Sequence, residues 1–247
     1  MTADTFAAVV WNIYHDTEPQ DLFPHARREH ELRNVSLFLL NEAQRRPGLK
    51  SMLRSLGLRS FFNGQHCLAW DPQVLCDVRL WGERLTETPF FTPSGHEMHS
   101  DAAQGIFCDM EGRTLFVSTY HTPSAVQSQR NERRIQVTLE SFVHLAEQAD
   151  DSLCDGVLFG GDDNVDEHQG WSLPKEKEIL LGAATGLRQL RAPGPTYGNR
   201  KIDDFRIIRP RDGGGIRAVK DKAWVAHGGQ AENPAHRIHG REFRWVK

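Results

Sequence analysis

Apolar side chains along this chain fall mostly into short runs whose alternation or composition suits β-strands. Residues 5–14, 35–41, 67–70, 74–81, 105–110, 114–120, 156–160, 202–208, 218–225 and 237–246 each carry β-branched, aromatic or alternating apolar residues. Three segments follow helical spacing instead: 49–56, 124–148 and 175–184. In the longest, Ile135, Leu139, Phe142, Val143 and Leu145 form an apolar stripe that excludes Arg130, Arg133 and Arg134. So many strands do not fit comfortably in one flat sheet. The pattern therefore predicts two sheets packed face to face with helices outside. Segments 89–103 and 209–215 read as loose, and no repeat, low-complexity tract or linker divides the chain, so one domain over residues 1–247 is expected.

Composition narrows the class. Hydrophobic residues make up 38% and charged residues 26% of the 247 positions, as in globular proteins rather than disordered or membrane ones. No apolar run reaches the roughly 20 residues that span a bilayer, and the start lacks a basic, then apolar, signal pattern. A cytoplasmic protein that does not engage membranes is expected, and a monomer is assumed. Cys67, Cys76, Cys108 and Cys154 are widely spaced with no CxxC pair, which reads as reduced core thiols. The net charge of −3 excludes a protein held on nucleic acid by bulk electrostatics. A polyanionic substrate would have to be drawn in by a local basic patch and a bound metal.

Polar, metal-capable residues recur at the ends of these apolar runs, where strand tips and loops commonly carry function. Asn12 closes AAVVWN, and its amide can hold a phosphate oxygen or orient a carboxylate; alone it is an ordinary strand-end Asn. Glu42 follows VSLFLLN and is either solvated or beside a hard cation such as Mg²⁺. Tyr120 and His121 end the run after TLFVS, where a His is a strand-end residue or a reactive group. VLFGGDDN puts Asp162 and Asn164 on one side by the two-residue period, an acid and an amide able to align a nucleophile and hold a phosphoryl oxygen. The bland reading is an Asp/Asn-rich turn. Asp203, in KIDDF, would be costly to bury alone, and an imidazole such as His236 is a natural companion.

In this order the pieces resemble the deoxyribonuclease I-like, or endonuclease/exonuclease/phosphatase, superfamily. Its members share a first-strand Asn, a strand-end Glu, a His or Tyr after a central strand, Gly-Asp-x-Asn, an Ile-Asp-Tyr-like strand and a terminal Ser-Asp-His. The counterparts here are Asn12, Glu42, Tyr120-His121, Gly161-Asp162-Asp163-Asn164, Ile202-Asp203 and Pro234-Ala235-His236. The resemblance spans nearly the whole chain. It implies a four-layer α/β/β/α sandwich of two packed mixed β-sheets with the active site at one rim, and a metal-dependent phosphodiesterase, a nuclease above all.

The resemblance also implies roles. Glu42, with help from Asn12, would hold Mg²⁺ or Mn²⁺; Asp162 and Asn164 would position the attacking water and a phosphoryl oxygen; Asp203 would orient His236; His121 would contact the phosphate or assist the leaving group. Asp162 and His236 both remain open as the general base. Tyr120, Arg130, Arg134 and Lys201 are expected on the substrate, with DNA favoured over RNA. One departure is Ala235, where the family carries Asp; Asp163, Asp204 or Glu232 would substitute, metal binding would be weaker, or the chain would be a silent binding module. The other is the charge-dense segment between Asn12 and Glu42, where the family's helix looks shortened. A phosphatase acting on a small phosphorylated metabolite or nucleotide is the remaining alternative.

Overall fold

The computed structural model describes residues 4–14, 17–43, 47–87, 89–91, 97–122, 130–162, 164, 175–196, 203–208, 214–226 and 237–246. In chain order the elements are β1 (Thr5–Asn12), α1 (Pro19–Arg27) running into a π-helical turn (Arg28–Leu32), β2 (Val35–Asn41), α2 (Pro47–Ser55), β3 (Arg59–Asn63) and β4 (His66–Trp70). Then come β5 (Leu75–Arg84), β6 (Phe90–Phe91), β7 (Glu97–Met98), β8 (Asp101–Asp109), β9 (Thr114–His121) and α3 (Arg130–Asp151). The last are β10 (Gly156–Asp162), α4 (Lys175–Thr185), β11 (Leu187–Leu190), β12 (Asp203–Ile208), β13 (Gly215–Ala226) and β14 (Ile238–Val246).

Two six-stranded sheets result, ordered β13-β14-β1-β2-β4-β3 and β11-β12-β10-β9-β8-β5, beside a β6-β7 pair. Both are mixed: β1 with β2 and β9 with β10 are parallel, and the other pairs are antiparallel. Alternation decides the layers. Phe6, Ala8 and Val10 of β1 and Leu37 and Leu39 of β2 meet Leu115, Val117, Leu158 and Phe205 of the second sheet in the central core. The odd-numbered face of β1, Ala7, Val9 and Trp11, packs with Leu22 and Ala26 of α1 and Leu49, Met52 and Leu53 of α2. On the far side, Phe116 and Phe159 pack with Phe142 and Leu145 of α3 and Leu181 of α4. Strands apolar on both faces are covered on both faces, giving the α/β/β/α layering expected from the sequence.

The ten expected strands and three expected helices all form. The structure adds β3, β11 and α1, and the expected loose stretch 89–103 holds β6, β7 and the start of β8. β3 and β11 lie at sheet edges, where one flank needs no apolar partner and the pattern is correspondingly weak. α1 carries Pro19 at its start and Pro24 inside, and it buries only Leu22 and Ala26, too few positions to mark a period. Val143 is 39% exposed and does not belong to the buried stripe of α3, whose place is taken by Val137, Ala146 and Ala149. All four cysteines are free, but only Cys67 is buried and Cys76 is exposed, so the core-thiol expectation holds for one of them. Among the described residues no helix is long and apolar enough to cross a membrane.

Candidate functional site

Strand register brings the polar strand ends together. In the second sheet Asp162 pairs with His121 on one side and Asp203 on the other, so all three project from one face, toward the first sheet. In the first sheet Asn12 pairs with Asn41, both on the inward face. Gly160, one inward position below Asp162, lets the sheets close here: a Cβ would sit 2.5 Å from Val10 Cγ2 and 3.0 Å from Leu39 Cδ2. With that gap narrowed, side chains from the two sheets touch.

Asn12 is the link. Its Nδ2 donates to Glu42 Oε1 at 2.8 Å and to Asp162 Oδ2 at 3.1 Å, while its Oδ1 accepts the Tyr14 N–H at 3.0 Å. Asp162 Oδ1 accepts the Asn164 N–H at 2.7 Å, and Asn164 Nδ2 donates to the Thr122 carbonyl at 2.8 Å. Both Asp162 oxygens are thus fixed by donors. His121 Nε2 lies 3.7 Å from Asp162 Oδ2 and 3.9 Å from Glu42 Oε1, at ion-pair distance but beyond a hydrogen bond. The side chains of Glu42 and His121 stay 18% exposed while that of Asp162 is buried, so solvent reaches the cluster from the Glu42 and His121 side. The backbone around it is unusual: Tyr14, Glu42 and Asn164 have φ of 48°, 53° and 48°, the left-handed region that Asn tolerates and Glu and Tyr seldom adopt.

No protein-family model and no curated protein matches the chain, but solved structures do. An endonuclease/exonuclease/phosphatase from Bacteroides vulgatus aligns with a TM-score of 0.70 over 98% of this chain and 99% of that one, at 13% identity. TDP2 from D. rerio, complexed with single-strand DNA product, gives 0.69 over 97% and 99% at 12% identity. A mannosyl-6-phosphatase from Bacteroides thetaiotaomicron gives 0.65 over 98% and 100% at 14% identity. The chain has the endonuclease/exonuclease/phosphatase fold.

Within that fold, five of the expected residues are adjacent: Asn12, Glu42, His121, Asp162 and Asn164. Asp203 is buried beside Asp162 in the ladder, its N–H donating to Thr196 Oγ1 at 3.2 Å. Two expectations need correcting. Tyr120 is not on a substrate surface: it is fully buried in the outer core, its ring against Phe142 and its hydroxyl donating to the Asp204 carbonyl at 3.2 Å. Its neighbour in chain points inward and it points outward, as strand alternation requires. Asp204 faces outward likewise and accepts from Gln189 Nε2 at 2.6 Å and the Ala192 N–H at 2.9 Å, so it does not replace the acid missing at Ala235. Asp163, Lys201, Glu232, Ala235 and His236 lie outside the described residues. Arg130 and Arg134 fall in the first turns of α3, their side chains also outside the described set.

Two residues of the site escaped sequence reasoning. His66, at the start of β4, is buried with Nδ1 3.1 Å from Asn41 Oδ1; since an amide oxygen only accepts, Nδ1 carries the proton. Burial, reinforced by the nearby charge of His121, lowers its pKa from 6.5 to about 3 and keeps it neutral. The one signal was a His and an Asn at the tips of apolar strands. His239 of β14 is also buried, donates from Nδ1 to the Asp203 carbonyl at 2.9 Å, and is held near pKa 3 by burial first and Arg241 second. It secures the backbone beneath Asp203.

The donor set suits a hard cation. Glu42 and Asp162 face each other across one amide group, two like charges whose repulsion a cation would relieve. Asn12 turns its nitrogen to the two carboxylates and so orients both, which suits its expected part in helping Glu42 hold a cation. Among the described residues no three His, Cys, Asp or Glu side chains form a closed metal cage. A Mg²⁺-type ion needs none, since it binds through one or two carboxylates plus waters and substrate oxygens.

Proposed function

We propose that the protein is a divalent-metal-dependent phosphodiesterase, with nucleic acid as the favoured substrate. The observation that carries this reading is the Asn12 amide bridging Glu42 of one sheet tip and Asp162 of the other, with His121 within ion-pair distance of both carboxylates. In this reading Glu42 holds Mg²⁺ or Mn²⁺, which when bound neutralises charge on the phosphoryl and leaving oxygens. Asp162, with one oxygen fixed by Asn12 and the other by the Asn164 N–H, orients the attacking water. His121, on the open side of the cluster, meets the phosphoryl oxygen or the leaving group. Asp203 orients His236 as the resemblance implies, and Arg130, Arg134 and Lys201 engage backbone phosphates.

Nucleic acid is favoured by the arginines at the start of α3, a few positions after His121 in sequence, and by the likeness to a structure holding single-strand DNA product. A phosphatase of small esters is the second reading, because a mannosyl-6-phosphatase is equally well covered by this fold. Incubating the protein with single- and double-stranded DNA, RNA and mannose 6-phosphate in Mg²⁺ or Mn²⁺, with EDTA and Asp162→Ala controls, separates them. Chelator-sensitive cleavage of a nucleic acid is expected. Turnover of the sugar phosphate alone overturns the nucleic-acid reading, and identical results for wild type and control overturn both.

A further inference from the structure

Away from the rim, the flank of the sandwich where edge strands β11 and β13 meet is open. A crevice of about 570 Å³ lies there, with Leu190, Ile207 and Ile216 among its apolar lining. An open end of a β-sandwich is ordinarily closed by apolar side chains. Here Arg188 of one sheet and Arg241 of the other face the gap, with Lys220 at its lip, and Asp221 is the one acid among the described lining residues. β13 makes room for it: its pairing with β14 breaks between Ala218 and Ala223, so the intervening residues bulge away from the ladder, with Asp221 at φ 60°.

Among the described residues, none of Arg188, Lys220 and Arg241 takes part in a salt bridge. Arg241 donates from Nη2 to the Arg191 carbonyl at 3.0 Å, and its Nε is buried with no hydrogen-bond partner among the described residues. Burial lowers its pKa, Asp204 partly offsets this, and Arg188 lowers it further. Arg241, half-buried over an apolar floor with the exposed Arg188 across the gap, is a charge that an anion entering the crevice would stabilise. A phosphate satisfies such a guanidinium pair with bidentate geometry, and an apolar ring attached to it covers the floor. The volume is that of a small-molecule site.

We infer that this crevice is a second, non-catalytic site for a phosphate monoester carrying an apolar ring, of nucleotide size, gripped by Arg188, Lys220 and Arg241. It does not depend on the reading of the rim. Isothermal titration of AMP into the full chain in EDTA tests it, using wild type, Arg188→Glu/Lys220→Glu, Ala218→Trp and Asp162→Ala. The first variant reverses charge at two exposed edge positions, and the second fills the crevice without changing charge. Saturable binding is expected in wild type and Asp162→Ala, at least ten-fold weaker in both crevice variants, with inorganic phosphate binding more weakly than AMP. No binding to wild type, undiminished binding by both crevice variants, or loss in Asp162→Ala overturns the site; phosphate binding as tightly as AMP overturns the apolar-ring ligand.

Discussion

At the residue scale, Glu42 combines the metal-holding role proposed for it with backbone strain. Its positive φ costs on the order of 1–3 kcal/mol, and its carboxylate faces that of Asp162 across one amide. Glu42→Gly is therefore expected to keep or raise the melting temperature while lowering hydrolysis at least ~100-fold; a fall in both, read by thermal denaturation and turnover, contradicts a strained site residue. Asn12→Ala removes the donor shared by both carboxylates and is expected to reduce metal affinity or turnover by roughly 10–100-fold with the fold intact. The individual site residues were legible because each follows an apolar strand. Tyr120 was misread because adjacency to His121 in sequence places it on the opposite face in a strand. His66 went unnoticed since its importance rests on a contact with Asn41, on a strand 25 positions earlier, that no local pattern encodes.

At the scale of elements, β10 sets the distance between the sheets. Gly160→Ala would push Val10 and Leu39 away, costing about 1–3 kcal/mol of overpacking and widening the Asn12 to Asp162 contact. A stability loss in urea accompanied by a larger fall in turnover is expected; unchanged activity would show that the site does not depend on this approach. Gly161→Ala would drive a Cβ into the Tyr120 carbonyl oxygen, a backbone atom that cannot step aside, and is expected to prevent folding. Strands with both faces covered, such as β1, β2 and β10, announced themselves as apolar runs. The edge strands β3 and β11 and the proline-bearing α1 did not, because each buries too little apolar surface to leave a period.

At the scale of the molecule, two buried neutral histidines tie stability to pH. His66 and His239 have folded pKa values near 3 against 6.5 unfolded, so the unfolded chain binds more protons between those values. Their contribution is fully present above pH 6.5 and is lost as pH falls toward 3, about 2 kcal/mol for each between pH 7.5 and 5. Denaturant midpoints should fall accordingly, and His66→Gln should flatten the slope. The layered fold was legible from strand count and alternation, whereas the convergence of its strand tips needed the resemblance, since register between distant strands is not written in any one segment. The central claim is that those tips hold a divalent cation to break a phosphorus–oxygen bond. Cleavage of a labelled oligonucleotide, followed as Mn²⁺ or Mg²⁺ is titrated into metal-stripped wild type and Asp162→Asn, tests it most directly. Activity rising saturably from zero with metal in wild type, and at least ~100-fold lower in the variant, is predicted; cleavage that ignores metal, or that the variant retains in full, would contradict it.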